Sequence, residues 1–236
     1  MNQFFLRNFS PFLKNFSPFL ILLGCVFFVQ AAGAITVEQL QQKMQEHDAA
    51  IHSLEFTFVQ RVRSSLDSQT KESAGSAFIV KPKQVRIDQL RPEKQLVIGS
   101  GKTVYIYTPR FNQVLKSSWD KWVSNNFAFP GLSGFSQTLQ KMKENYVWEI
   151  VSEPSSETGS ETSGETRLIE VLLKNGTKET LHLWVDPTDF VPRKTEFIYG
   201  TLTLTTRLEN VKINEPVDAN LFQFKKPKNV TVLAIP

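Results

Sequence analysis

The sequence predicts an α+β fold: a large curved antiparallel sheet of about ten or eleven strands, with helices packed against one face. Three observations predict it. One early segment repeats its apolar residues at helical spacing. Most of the remaining chain alternates with a period of two and is cut at short intervals by turn residues. The helical segments are too few to cover so many strands. The sheet must therefore close on itself or leave an apolar concavity.

The first element is the helix. "TVEQLQQKMQEHDAAIHSL" (36–54) opens on Thr36 and Gln39, a capping-box pair, and Val37, Leu40, Met44, His47, Ile51 and Leu54 mark one helical face. His47 stands on that stripe and reads first as a packing histidine. From Leu54 the period changes to two. Phe56, Phe58, Gln60 and Val62 lie on one side of a strand, with Thr57, Val59 and Arg61 on the other. "SAGSAFIVKP" places Ala74, Ser76, Phe78 and Val80 opposite Gly75, Ala77 and Ile79, and ends at Pro82. "QVRIDQL" sets Val85 and Ile87 against Arg86 and Asp88. "KQLVIGSGKTVYIYTP" is two strands joined at Gly99-Ser100-Gly101-Lys102, and "NQVLKSS" follows.

The rhythm breaks at 119–146. Irregular backbone is expected around 124–134 and a helix from about Ser136 to Asn145, after which "YVWEIV" resumes the strands. "SEPSSETGSETSGET" (152–166) has no apolar side chain to bury, and reads as a mobile insertion at a hairpin tip. A hairpin around Asn175-Gly176, two strands bending near Gly200, a short helical turn in "VDANLFQF" and a terminal extended piece complete the chain.

Residues 1–34 read as a cleaved export signal, leaving 35–236 as one domain. Arg7 and Lys14 are the segment's only charges, and Phe19 to Val29 is an apolar run too short for a comfortable membrane span. "RNFSPFL" is followed at once by "KNFSPFL", a tandem duplication within the leader. Leu22-Leu23-Gly24-Cys25 resembles a lipobox and Ala32-Gly33-Ala34 an ordinary cleavage site. The apolar Val26-Phe27-Phe28-Val29 after Cys25 continues the signal rather than forming a polar tether, which favours cleavage near Ala34. Removing the leader takes two of the 27 Lys+Arg and none of the 23 Asp+Glu, so 25 − 23 leaves a net charge of +2. Nothing basic is clustered enough for nucleic acid. Cys25 is the only cysteine, so the remainder has no disulfide and no thiol nucleophile.

No catalytic set stands out, and no metal site or cofactor is expected. The three histidines are His47, His52 and His182, and no Gly-x-Ser-x-Gly, HExxH or EF-hand pattern occurs. Gly101-Lys102-Thr103 ends like a P-loop but lacks the earlier glycine that a phosphate cradle needs. Asp186 and Asp189 flank Pro187 and read as turn residues. What the chain has in excess is aromatic surface. Phe127, Phe129, Leu132 and Phe135 lie in backbone loosened by Gly131 and Gly134, which suits either a binding lid or a permanent plug.

"PEKQLVIGSGKTVYIYTPRFNQV" (92–114) resembles the P-x-x-Q…G-K-x-aromatic-x-Y-x-P…Q-V run of the periplasmic outer-membrane lipoprotein carriers of the Lol pathway, the LolA family. "FTFVQRV" (56–62), "GSAFIVKPKQVRI" (75–87) and "VDANLFQFKKPKNVTVL" (217–233) are similar to its first strand, its Arg/Lys-Pro segment and its ending. The resemblance implies an unclosed antiparallel barrel with a helical or irregular lid over an apolar concave face. It implies a monomeric periplasmic chaperone without enzymatic activity. Such a carrier shields the lipidated N-termini of lipoproteins and moves them from an inner-membrane ABC transporter to an outer-membrane receptor. Phe56, Phe58, Phe78, Val85, Ile87, Tyr105, Phe127, Phe129, Leu132, Phe135 and Trp148 are the expected lipid-binding residues.

In the family an arginine before the strand-ending proline ties down the lid. Here that position is Lys81, the expected lid contact, which has no planar fork of donors and implies a looser lid. Val85 and Ile87 stand where relatives often carry aromatics. Two other functions compete: an anchored receptor of similar fold if Cys25 is lipidated, and a lipid- or peptide-binding sensor domain.

Overall fold

The computed structural model describes residues 34–125, 136–153, 168–176 and 179–234, all within one compact unit, Ala34–Pro236. Helix α1 (Val37–Ala50) begins at the predicted capping box. Thr36 Oγ1 accepts from Gln39 N–H at 3.2 Å and Gln39 Oε1 accepts from Thr36 N–H at 3.0 Å. It ends at Ile51, whose extended backbone turns the chain into the sheet.

The strands are β1 (Ser53–Ser64), β2 (Asp67–Val80), β3 (Gln84–Arg91), β4 (Gln95–Ser100), β5 (Thr103–Thr108) and β6 (Gln113–Ser118), then β7 (Val147–Ser152), β8 (Ile169–Lys174), β9 (Glu179–Val185), β10 (Pro192–Tyr199), β11 (Leu202–Ile213) and β12 (Thr231–Ala234). They form one 12-stranded sheet in the order β12-β6-β5-β4-β3-β2-β1-β11-β10-β9-β8-β7, open between β12 and β7. The expected count of ten or eleven falls short because the terminal extended piece is a strand, pairing parallel to β6 with Thr231 opposite Gln113. Asn112 seats it: its backbone is left-handed at φ 48°, its carbonyl accepts from Thr231 N–H at 3.1 Å, and its side chain donates to Asn229 O. β2 also starts at Asp67, earlier than the alternation signals, because backbone pairing with β1 extends through polar residues.

Two further helices follow β6. Helix α2 (Trp119–Asn125) occupies part of the segment expected to be irregular, and α3 (Ser136–Asn145) has the bounds predicted for it. Of the insertion expected at 152–166, Ser152 ends β7 and Glu153 follows it; residues 154–166 lie outside the described residues, as do Phe127, Phe129, Leu132 and Phe135.

The helices cover one face of the sheet, called the inner face below. Ala77 is opposite both Phe56 and Ile87, Ile87 opposite Val97, and Val97 opposite Ile106, so these residues share that face. Two apolar clusters form there. One gathers Leu54, Phe56, Phe58, Ala77, Val85, Ile87, Val97, Val104 and Leu208 with Ile51 and Val191. The other gathers Val171, Leu173, Leu181, Leu183 and Trp148 beneath Leu40 and Met44 of α1 and Leu139 and Met142 of α3. Between them, on neighbouring strands, run Gln60, Thr206 and Thr195, with Gln60 Nε2 donating to Thr206 Oγ1 at 3.1 Å.

The outer face of β3–β5 has its own cover. Arg86 is opposite Phe78 and Ile98, and Ile98 is opposite Tyr105. The 3-10 turn Ala219–Phe222 lies over β3 and β4, with Phe222 buried and Leu221 O accepting from Arg86 Nη1 at 3.2 Å. Tyr105 stacks on Phe224 with centroids 4.6 Å apart and planes 9° from parallel.

Candidate ligand-binding face

Of the residues predicted to bind lipid, Phe56, Phe58, Val85 and Ile87 come together in one inner-face cluster, all buried. Trp148 lies on the same face in the second cluster, where its Nε1 donates to Met142 O at 3.2 Å and pins it beneath the end of α3. Phe78 and Tyr105 do not join them. Register with Arg86 and Ile98 turns both to the outer face, and Tyr105 is occupied by Phe224. The assignment of these two to a lipid-facing surface is therefore corrected. Alternation within a strand separates two sides but does not say which side meets the helices; that follows from pairing with neighbours.

Three short helices close the inner face. α1 inserts Leu40 and Met44 into the second cluster. α2 lays Trp119 and Trp122, rings 5.7 Å apart, against the first. Space for Trp119 is made by Gly99: a Cβ there would lie 2.8 Å from Trp119 Cζ3 and 2.8 Å from Val85 Cγ1. Trp119 N–H also donates to Lys102 O at 2.9 Å, tying the start of α2 to the β4–β5 turn. Here the glycine serves close approach rather than a turn.

Lys81, expected as a lid contact, reaches the C-terminal end of α1. Its ammonium donates to the backbone carbonyl of Asp48 in the last turn of α1 and lies 3.2 Å from Asp48 Oδ1. Its own N–H donates to His52 O at 2.9 Å. Two residues that hold the end of α1, Asp48 and Asn214, were not legible in the sequence. Asp48 is on α1 but off the apolar stripe, and burial pushes its carboxyl above the usual range against the opposing pull of Lys81. Its Oδ2 is buried and has no hydrogen-bond partner among the described residues. Asn214, in left-handed backbone at φ 59°, accepts from His52 N–H at 2.6 Å through Oδ1 and donates through Nδ2 to Ala50 O at 3.0 Å. The C-terminal end of α1 is thus held from both β2 and the residue after β11.

Two of the three histidines pack against aromatic rings, and His52 is exposed. His47 lies 4.9 Å from the Phe190 ring, and His182 stacks on Trp184 at 5.7 Å. Asp186 and Asp189 act as turn residues, accepting from Thr188 N–H at 2.8 Å and Val191 N–H at 2.9 Å. Among the described residues no group of three His, Cys, Asp or Glu is placed to hold a metal ion, and no helix is long and apolar enough to cross a membrane.

Known proteins share this architecture. The outer membrane lipoprotein carrier protein LolA family model matches residues 49–225. An outer-membrane lipoprotein carrier protein of Azotobacter vinelandii is 30% identical over 90% of this chain and 96% of its own length. One of Legionella pneumophila is 26% identical over the same shares. An uncharacterized conserved protein of Thermus thermophilus has a similar fold, with a TM-score of 0.54 at 13% identity, covering 84% of this chain and 98% of that one. MucB also has a TM-score of 0.54, at 14% identity over 84% of this chain and 66% of MucB. The family match spans the sheet from β1 through the outer-face 3-10 turn, and with it the lysine tether and the helix-covered apolar face: the chain belongs to the LolA family of outer membrane lipoprotein carrier proteins.

Proposed function

We propose that this protein is a non-enzymatic periplasmic chaperone that shields the acyl chains of lipoproteins. In this reading it takes them from an inner-membrane ABC transporter and passes them to an outer-membrane receptor. The observation that carries the proposal is an open sheet whose inner face is apolar and, among the described residues, is covered by three short helices, one of them held at its C-terminal end by Lys81. Each methylene taken out of water is worth about 0.8 kcal/mol, so acyl chains have a strong reason to replace the helices against the sheet. The helices' own apolar residues compete for the same surface, which keeps the grip reversible.

Phe56, Phe58, Val85, Ile87 and Trp148 are the proposed lining, with Phe127, Phe129, Leu132 and Phe135 as the remainder of the lid. Signal cleavage near Ala34 completes the reading, since it leaves a carrier free to cross between membranes. The test is a two-part experiment. Purified protein is assayed for co-eluting lipid and for binding of an apolar fluorescent probe, with Phe127→Glu or Phe129→Glu expected to suppress both. Depletion in cells is expected to strand lipoproteins at the inner membrane. A protein that binds no acyl chain, or whose loss leaves lipoprotein sorting intact, would sink the proposal.

A further inference from the structure

The polar row that crosses the inner face interrupts an apolar surface. Thr195 of β10 lies opposite Leu183 of β9 and Thr206 of β11. Thr206 lies opposite Gln60 of β1, and Gln60 opposite Ser73 of β2. Leu183 belongs to the second apolar cluster, so all five side chains share the helix-covered face. One step along the strands in one direction, the same face carries Phe58 and Leu208 of the first cluster. One step in the other direction it carries Leu204, opposite Val62, and Phe197, which packs against the second cluster. Polar side chains thus occupy a single level between two apolar ones.

Thr206 and Thr195 are each 1% exposed. Thr206 Oγ1 accepts from Gln60 Nε2 at 3.1 Å, but Thr195 Oγ1 is buried with no hydrogen-bond partner among the described residues. Valine has nearly the same shape, suits a strand as well and leaves no hydroxyl unpaired, so folding alone gives no reason for threonine at 195. The row's composition narrows what could supply the missing partner. Ser73, Gln60, Thr206 and Thr195 are all uncharged, so a phosphate or carboxylate against them would be buried without a counter-charge among the four. A peptide would bring an N–H and a C=O at every residue, and the apolar levels to either side offer these no partners. A hydrocarbon chain headed by a carbonyl fits both features. Its methylenes lie on the apolar levels and its one polar atom meets the row. An ester carbonyl only accepts, and an unpartnered hydroxyl is free to donate to it.

We infer that Thr195, with Thr206 and Gln60 beside it, is a hydrogen-bonding subsite for the carbonyl of an ester-linked acyl chain. The inference rests on the proposed carrier role and deepens it: the inner face reads where an acyl chain begins as well as its hydrocarbon. The test compares monopalmitoylglycerol, an ester, with hexadecylglycerol, the ether of the same chain length, as competitors for the apolar probe on purified protein. The two lipids differ only in the carbonyl. The ester is expected to displace the probe at a concentration about three- to tenfold lower than the ether. In Thr195→Val the ester is expected to fall to the ether's affinity, and Thr195→Ser, which restores a hydroxyl, to keep the difference. Thr205→Val should keep it too, since Thr205 faces the other side of β11 and its hydroxyl donates to Glu196 Oε2 at 3.1 Å. Thr195→Val is not expected to lower the melting temperature, which separates loss of the subsite from loss of the fold. Equal binding of the two lipids by the unaltered protein overturns the inference and leaves the carrier role standing, the hydroxyl then meeting water only. A preference for the ester that survives Thr195→Val overturns it as well. Failure of both lipids to compete overturns the carrier role and the inference with it.

Discussion

Asp48 stands beside Lys81 as a carboxylate whose burial outweighs the attraction of its partner, so its affinity for a proton is raised in the folded protein. The folded chain then binds more protons than the unfolded one between the unfolded value, about 3.9, and the raised folded value. Stability contributed by this group is present below that window and is lost as pH rises through it. The same holds for opening of α1, which returns Asp48 to water. Acidification into the window is expected to slow hydrogen exchange across 37–50, after correction for intrinsic rates, and Asp48→Asn to remove that dependence. Thr195 gives a second prediction. It is 1% exposed and its Oγ1 has no hydrogen-bond partner among the described residues. Thr195→Val removes a buried unpartnered hydroxyl and is expected to stabilise the protein by about 1 kcal/mol in denaturant unfolding. Neither residue was legible beforehand. Alternation marks Thr195 only as one side of a strand, and the burial of Asp48 depends on a lysine 33 positions away.

At the scale of elements, α1 and α2 are held by means that can be tuned separately. Lys81 offers a compact ammonium to the last turn of α1, where arginine would offer a planar fork to several carbonyls. Lys81→Arg is expected to tighten the helix, slowing exchange of 37–50 and slowing release of bound lipid; unchanged rates would refute the role given to the lysine. For α2, Gly99→Ala brings a methyl within 2.8 Å of both Trp119 and Val85, so the tryptophan must move. The expected result is a shift of tryptophan emission and stronger apolar-probe binding by the empty protein. The elements divide clearly in what the sequence disclosed. α1, α3 and the hairpins have dense local signals: a capping box, a 3.6-residue stripe, Gly101 and Gly176 at turns. α2 escapes a pattern reading because a seven-residue helix shows less than two full turns of period. The sequence marks β12 only as extended, because its partner, β6, lies more than a hundred residues earlier.

The whole molecule is a sheet with two apolar clusters and a polar row between them. Phe56 is among the largest fully buried side chains of the first cluster. Phe56→Ala is expected to cost about 3–5 kcal/mol in unfolding free energy, a large part of the margin of an ordinary domain. Family membership was legible because its motifs are strung along strands in order. The inward or outward sense of those strands was not, and pairing register alone separates Phe78 and Tyr105 from Phe56.

The seam of the sheet has a kinetic consequence. β1 pairs with β11, Phe58 lying opposite Leu208, so the strand nearest the start of the fold finds one of its two neighbours only near the end. The meander from β1 to β6 can pair locally as it is made, and so can that from β7 to β11. Joining the two requires closing a loop of some 150 residues, an entropic step that local pairing does not relieve. A chain threaded through a narrow channel from its N-terminus therefore cannot lock into its final form on either side until β11 has been delivered. Sequences that weaken the β1–β11 junction would show their defect as slow maturation before they showed it as lost stability.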